Sequence, residues 1–250
     1  MIFYLNTCKS TIICWFYAPA RPLAYYPIHS KGTLDQNCTF VFEYKCKFPM
    51  KIFCIGRNYL AHIEELANEK PDQPLIFMKP STALLREEKP FFIPDFSNEI
   101  HFECEWVLRI CQHGKAISPK FALDYVDKMT LGIDFTARDI QTQAKEKSHP
   151  WELAKAFDYS AAIGQWQVFD PETDHHEFTL HKNGQLAQQG DTRHMMFSLP
   201  EIIAFISRYF TLQKGDLIFT GTPSGVGPIQ SGDLLEGHLN GHPVLKCPIK

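Results

Sequence analysis

At 250 residues with a formal net charge of −3, the chain is long enough for one sizeable core and has no cation excess favouring nucleic acid or an anionic membrane. No run approaches the roughly 20 apolar residues of a membrane span, so no membrane partner is expected. Eight cysteines occur without a CxxC pair or zinc spacing, which points to free thiols in a reducing compartment, the cytoplasm.

Residues 1–49 mix aromatics, Cys and Pro without a sustained period of 2 or 3.6. Ala18-Pro19-Ala20 resembles a signal cleavage site, but Lys9 shortens the apolar stretch and no basic segment precedes it. Met50-Lys51-Ile52-Phe53-Cys54-Ile55 reads as a natural chain start running into a strand. The expected organisation is an atypical, unstructured extension over 1–49, upstream of a true start at Met50, and one domain over 50–250.

Residues 51–55 form the first expected strand, stopped by Gly56-Arg57-Asn58, with Asn58 placed to cap a helix over 59–69. On that helix His62 and Glu65 are three apart and can touch. They make either a general base oriented by a carboxylate or a surface pair worth a few tenths of a kcal/mol. The next strand, 75–80, ends near Lys79, which either meets an anion or marks the strand's end.

In Ile100-His101-Phe102-Glu103-Cys104-Glu105-Trp106-Val107, strand alternation puts Glu103 and Glu105 on one face of an apolar run. Turned inward without a cation, two carboxylates so close would force at least one to stay protonated, and a bound cation removes that cost. Asp134 is the next acid embedded in an apolar run. Three hard oxygens select Mg²⁺, Mn²⁺ or Ca²⁺ over Zn²⁺. The competing reading is an exposed strand whose acids face water.

Further on, 121–126 reads as a short helix, and a polar helical run follows Arg138 and Gln141. Lys155 is a cation among apolar neighbours, a placement that lowers a lysine's pKa or aims it at a ligand anion. Strands are expected over 165–169, 177–181 and 186–188, with a hairpin turn at Asn183-Gly184. Asp174-His175-His176-Glu177 lies in a polar loop and reads as solvated. An amphipathic helix over 199–210 precedes the glycine loop Gly221-Thr222-Pro223-Ser224-Gly225-Val226-Gly227. That loop lacks the Gly-Lys-Ser/Thr ending of a nucleotide site, yet its N–H groups and Thr222 can hold a carboxylate. No Gly-x-Ser-x-Gly elbow marks a serine hydrolase.

Six ordered strings together resemble the fumarylacetoacetate hydrolase family: Gly56-Arg57-Asn58-Tyr59 with His62 and Glu65, Phe77-Met78-Lys79-Pro80, His101-Phe102-Glu103-Cys104-Glu105, Asp134-Phe135-Thr136-Ala137-Arg138-Asp139, Pro150-Trp151 with Lys155, and the glycine loop. The likeness runs from Met50 nearly to the C-terminus and is strongest to the short acylpyruvase and oxaloacetate decarboxylase branch. It implies an α+β, mainly β fold, a rolled mixed sheet with flanking helices, assembled as a homodimer. It also implies that Glu103, Glu105 and Asp134 hold Mg²⁺ or Mn²⁺, with Ca²⁺ as a further choice. His62, Glu65 and Lys155 match the catalytic positions, and Arg138, Gln141, Lys79 and Thr222 the substrate contacts. The implied function is metal-dependent C–C hydrolysis of acylpyruvates (2,4-dioxo acids), with oxaloacetate decarboxylation beside it. The alternatives are a 2-hydroxyhepta-2,4-diene-1,7-dioate isomerase or oxaloacetate tautomerase, and a non-catalytic binder of 2-oxo acids.

Overall fold

The β-branched and aromatic runs fold into strands. In chain order these are β1 (Asn6–Cys8), β2 (Thr11–Ile13), β3 (Ile52–Gly56), β4 (Leu75–Lys79), β5 (Leu84–Leu85), β6 (Ile100–Phe102), β7 (Cys104–Ile110), β8 (Val126–Asp134), β9 (Thr136–Ala137), β10 (Ala161–Ile163), β11 (Gln167–Val168), β12 (Glu177–Lys182), β13 (Gln185–Asp191), β14 (Leu217–Phe219), β15 (Gly227–Pro228), β16 (Leu234–Leu239) and β17 (His242–Pro248). Among the described residues four α-helices interrupt them: α1 (Leu60–Glu65), α2 (Arg138–Glu146), α3 (Glu152–Lys155) and α4 (Leu199–Tyr209). The structure is a computed structural model, and it describes residues 6–8, 11–13, 51–65, 70–86 and 89–250. The expected start at Met50, the Ala18-Pro19-Ala20 string and the end of the first expected helix, 66–69, lie outside the described residues.

The chain divides into two units, Met1–Lys45 and Cys46–Lys250. In the first, β1 pairs antiparallel with β2. In the second, a mixed sheet runs β4-β3-β14-β7-β8-β10-β5, with β11 joined to β8. Its parallel pairs are β14 with β3 and β10 with β5. A four-stranded antiparallel sheet runs β13-β12-β16-β17, and a three-stranded one runs β15-β6-β9. This is the mainly β architecture, with few helices and a curled mixed sheet, that the sequence led us to expect.

The core gathers Phe53, Trp106, Leu108, Leu131, Ile133 and Phe135 from the large sheet against Leu199, Ile202, Ile203 and Ile206 of α4. Those α4 residues recur at three- and four-residue spacing, so one face enters the core and each large side chain contributes about 1.5–3 kcal/mol on burial. A capping box starts the helix, with the Ser198 N–H donating to Glu201 Oε2 at 2.7 Å.

Three local expectations change. The strand expected through Glu103 and Glu105 breaks at Glu103, because β6 belongs to the three-stranded sheet and β7 to the large one. Asn58 does not cap α1; its amide donates to the Thr220 carbonyl at 2.8 Å and its Oδ1 accepts from the Phe197 N–H at 2.8 Å. It is fully buried, and tying two distant loops together outweighs a local cap. Residues 119–125 form a 3₁₀ helix, Pro119–Tyr125, rather than a turn of α-helix. The Asn183-Gly184 turn does close β12 on β13, with φ of 53° and 77° as a type I′ turn requires.

Candidate functional site

Glu105 lies on β7 and Asp134 at the end of β8, strands paired so that Glu105 sits opposite Gly132. Glu103 occupies the break between β6 and β7, where the Asp134 N–H donates to its carbonyl at 2.8 Å. The register and the break bring the three acids together, each offering an oxygen within 4.8 Å of the others. All are buried, at 5%, 2% and 0% exposure for Glu103, Glu105 and Asp134.

Their electrostatic situations differ. Lys155 Nζ donates to Glu103 Oε2 at 2.7 Å and Asp134 Oδ2 at 2.8 Å, and Arg138 reaches Glu103 Oε1 at 2.5 Å. Burial raises the Glu103 carboxyl, but Lys155 and Arg138 outweigh it and hold it well below the usual range. Lys79 Nζ lies 2.7 Å from Asp134 Oδ1 in an ion pair that lacks hydrogen-bond alignment, so that oxygen has no hydrogen-bond partner among the described residues. Glu105 has no cation within ion-pair distance among the described residues and accepts the Gly221 N–H at 2.7 Å. Burial, then Asp134 and Glu103, push its carboxyl far above the ordinary value. A divalent ion would relieve that repulsion, and three hard oxygens with no thiolate or imidazole in the set suit Mg²⁺, Mn²⁺ or Ca²⁺.

Of the two expectations for Lys155, a lowered pKa or an ammonium aimed at a ligand anion, the first is not met. Burial pulls the ammonium down, but Asp134 and Glu103 more than offset it and the group stays above its ordinary value. Its third hydrogen bond goes to Thr136 Oγ1 at 2.6 Å.

His62 is 6% exposed, and its Nδ1 lies 3.2 Å from Glu65 Oε2. Glu65 Oε1 in turn accepts the Gly225 N–H at 3.0 Å. Burial holds the imidazole below its usual pKa, only partly countered by Glu103 and Glu65. The neutral ring is thus the resting form, and a donating Nδ1–H leaves Nε2 as an acceptor.

The glycine loop does hold carboxylates, and both belong to the chain itself. Gly221 (φ 100°) and Gly225 (φ 93°) take backbone conformations that side chains rarely adopt. A Cβ on Gly221 would stand 2.7 Å from Asn58 Cβ, and one on Gly225 2.2 Å from the Ala187 carbonyl oxygen.

One cavity brings His62, Glu103, Glu105, Asp134, Arg138, Gln141, Lys155 and Thr222 together with Phe77 and Trp151. Lys79 is not in its lining. It is 1% exposed, and its ammonium is engaged by Asp134, Ser160 Oγ at 2.9 Å and the Lys155 carbonyl. Arg138 donates to Gln141 Oε1 at 2.6 Å. Thr222 Oγ1 donates to the Cys104 carbonyl and accepts from Gln188 Nε2, both at 2.8 Å.

Sequence reading missed Gln188, which is 1% exposed and joins the Cys104 N–H, Thr222 Oγ1 and the Pro223 carbonyl between the two glutamates and the glycine loop. Nothing in a polar strand segment marks such a residue. The 174–177 cluster is only partly solvated: the Asp174 side chain is 93% exposed, whereas His176 is buried, its ring centroid 4.9 Å from that of Trp106.

Residues 51–250 match the family described as Fumarylacetoacetate (FAA) hydrolase C-terminal. Oxaloacetate tautomerase FAHD1, mitochondrial, of Bos taurus is 39% identical over 192 residues, 76% of this chain and 87% of the relative. Oxaloacetate decarboxylase, mitochondrial, of Dictyostelium discoideum is 42% identical over 194 residues, 76% of this chain and 89% of the relative. Fumarylpyruvate hydrolase from Pseudomonas aeruginosa, solved with Mn²⁺ and pyruvate, superposes with a TM-score of 0.75 at 32% identity, covering 81% of this chain and 90% of that one. The ordered motifs, the curled mixed sheet and these similarities make one conclusion: the chain belongs to the fumarylacetoacetate hydrolase family.

Proposed function

We propose that the chain is a divalent-metal-dependent enzyme acting on small 2-oxo acids, and that it hydrolyses the C–C bond of acylpyruvates. The observation that carries this reading is a buried acid triad in which one carboxyl, Glu105, has no cation within ion-pair distance among the described residues, in the same cavity as the Glu65-oriented His62. Glu103, Glu105 and Asp134 would hold Mg²⁺ or Mn²⁺, which supplies Lewis-acid polarisation of a 2-oxo acid's oxygens when bound.

The chain's own groups do the rest. His62 Nε2 takes a proton from water while Glu65 fixes the ring through Nδ1. The Lys155 ammonium stabilises negative charge developing on the substrate oxygen. Arg138 and Gln141 bind the substrate's carboxylate. Lys79 and Thr222 serve from behind, Lys79 by holding Asp134 and Thr222 by fixing the Cys104 carbonyl between the two glutamates.

The names of the two relatives favour a second reading, tautomerisation or decarboxylation of oxaloacetate. There His62 would move a proton on the substrate without activating water, as it also would in a 2-hydroxydienoate isomerase. Single-turnover assay on acetylpyruvate and oxaloacetate, with Mg²⁺ and with EDTA, separates these reactions. Hydrolysis at the parental rate by His62→Ala would remove the base assignment, and turnover surviving thorough chelation would remove the metal.

A homodimer is the expected assembly, tested by light scattering. No helix among the described residues is long and apolar enough to cross a membrane. Free Cys54, Cys104, Cys111 and Cys247 suit a reducing compartment, for which the cytoplasm is our reading. Both relatives are named mitochondrial, so recovery of the protein in a mitochondrial fraction would overturn it.

A further inference from the structure

We propose that Gln188 is a positioning residue: its amide holds the glycine loop against the peptide between Glu103 and Glu105, and so keeps the acid triad and the His62–Glu65 pair in one arrangement. The role rests on the reaction proposed above, to which it adds a residue outside the cavity lining.

The need for such a residue arises in the large sheet. β14 runs antiparallel to β7, with Leu217 opposite Arg109, Ile218 opposite Leu108 and Phe219 opposite Val107. Every second residue of β7 turns its backbone polar groups toward that edge. The Ile110 N–H donates to the Asp216 carbonyl at 2.9 Å, and the Trp106 carbonyl accepts the Thr220 N–H at 3.1 Å. Cys104 is next in that series, but the partner chain turns away at Gly221 (φ 100°), whose N–H goes to Glu105. Two side chains take over. Thr222 Oγ1 donates to the Cys104 carbonyl at 2.8 Å, and Gln188 Oε1 accepts the Cys104 N–H at 2.9 Å. A primary amide carries the acceptor and donor of a peptide group, so Gln188, 1% exposed, continues the ladder from a strand of another sheet.

Gln188 does more than satisfy one backbone group. Its Nε2 donates to Thr222 Oγ1 at 2.8 Å and to the Pro223 carbonyl at 2.9 Å, so a single side chain grips the loop and the Cys104 peptide together. β13 meets the loop again at Gly225, where a Cβ would stand 2.2 Å from the Ala187 carbonyl oxygen and 3.4 Å from Gln188 Cγ. The loop seated in this way donates its Gly221 N–H to Glu105 and its Gly225 N–H to Glu65. Both carboxylates therefore take their positions from β13.

The test uses Gln188→Met, which keeps the length and removes the acceptor and both donors, alone and combined with Glu65→Gln. Turnover is measured at saturating Mg²⁺ on acetylpyruvate or oxaloacetate, whichever the parental enzyme accepts. Ile206→Val, in the core, controls for lost stability. The expected result for Gln188→Met is a kcat about 10–100-fold lower at nearly constant KM, the range typical of losing an outer partner of a metal site, with Ile206→Val at the parental rate. In the Glu65→Gln background the same change should cost less than about threefold, because the carboxylate that the loop places is already gone. A parental kcat, losses that multiply in the double variant, or an equal loss in Ile206→Val would overturn the role. If Gln188→Met does not fold, Gln188→Glu decides by the same readouts, since its carboxyl keeps the reach but has at most one donor for two acceptors. If the parental enzyme turns over neither acid, the proposed reaction falls by itself, and Mn²⁺ calorimetry decides the positioning. An affinity about tenfold lower in Gln188→Met and parental in Ile206→Val supports it, and equal affinities overturn it.

Discussion

Glu103, Glu105 and Asp134 bring ligand atoms within 4.8 Å of one another, and so do His175, Glu177 and Asp191. In the second cluster Arg193 Nη2 lies 2.5 Å from Asp191 Oδ2 and 3.5 Å from Glu177 Oε1, with water reaching a Glu177 side chain that is 61% exposed. The Arg193 hydrogen bonds hold the Asp191 carboxyl down to about 2, so its charge is already matched. In the first cluster burial is nearly complete and Glu105 has no cation within ion-pair distance among the described residues. Proximity of ligand atoms is common to both. What separates them is a buried carboxyl, Glu105, to which no cation among the described residues is paired.

The contrast is most exposed to Glu105→Gln. The amide cannot ionise to ligate a cation, while its oxygen can still accept from Gly221. Metal affinity by calorimetry should fall by more than the roughly 10–100-fold typical of losing an outer partner, and activity with it. The thermal midpoint of the metal-free protein should rise near neutral pH, since folding no longer has to keep a buried carboxyl protonated above its ordinary pKa. A fall in that midpoint would mean that Glu105 is already satisfied.

His62→Ala should lower kcat by about 10²–10⁴-fold while leaving calorimetric metal affinity close to parental, because the imidazole is not among the three oxygen donors. Glu65→Gln acts more gently and through pH. With the neutral imidazole as the proposed base, activity should fall as pH drops through the His62 pKa, which burial sets below about 6.5. Glu65 favours the protonated ring, so its loss should move the acid limb of kcat/KM to still lower pH. A shift upward would contradict the pairing. The smallest effect is expected at the other cluster, where Glu177→Gln should leave metal affinity and turnover unchanged. Loss of an ion there would erase the distinction.

The acids were legible in sequence because charge inside an apolar β-prone run is costly enough to demand a reason. The mechanism of their convergence was not: Glu103 reaches the site from a break between two sheets rather than from simple strand alternation. Asn58 and Gln188 were illegible for a related reason. Their partners lie 139–162 and 34–84 residues away, and a neutral amide carries no local signature of such a role. Lys155 shows the same limit for a cation. Local apolar neighbours suggested a lysine either depressed or aimed at a ligand anion, whereas two acids from distant strands raise it.

The Gly221 and Gly225 amides grip Glu105 and Glu65 from within one short loop. On the roles proposed above, that loop works as a fixed ruler between the ion's cradle and the proton-moving ring. Inserting a single residue between them would leave every side chain intact yet change the ruler's length. Ion capture and proton transfer would then survive as separate abilities that no longer act on the same molecule at the same time.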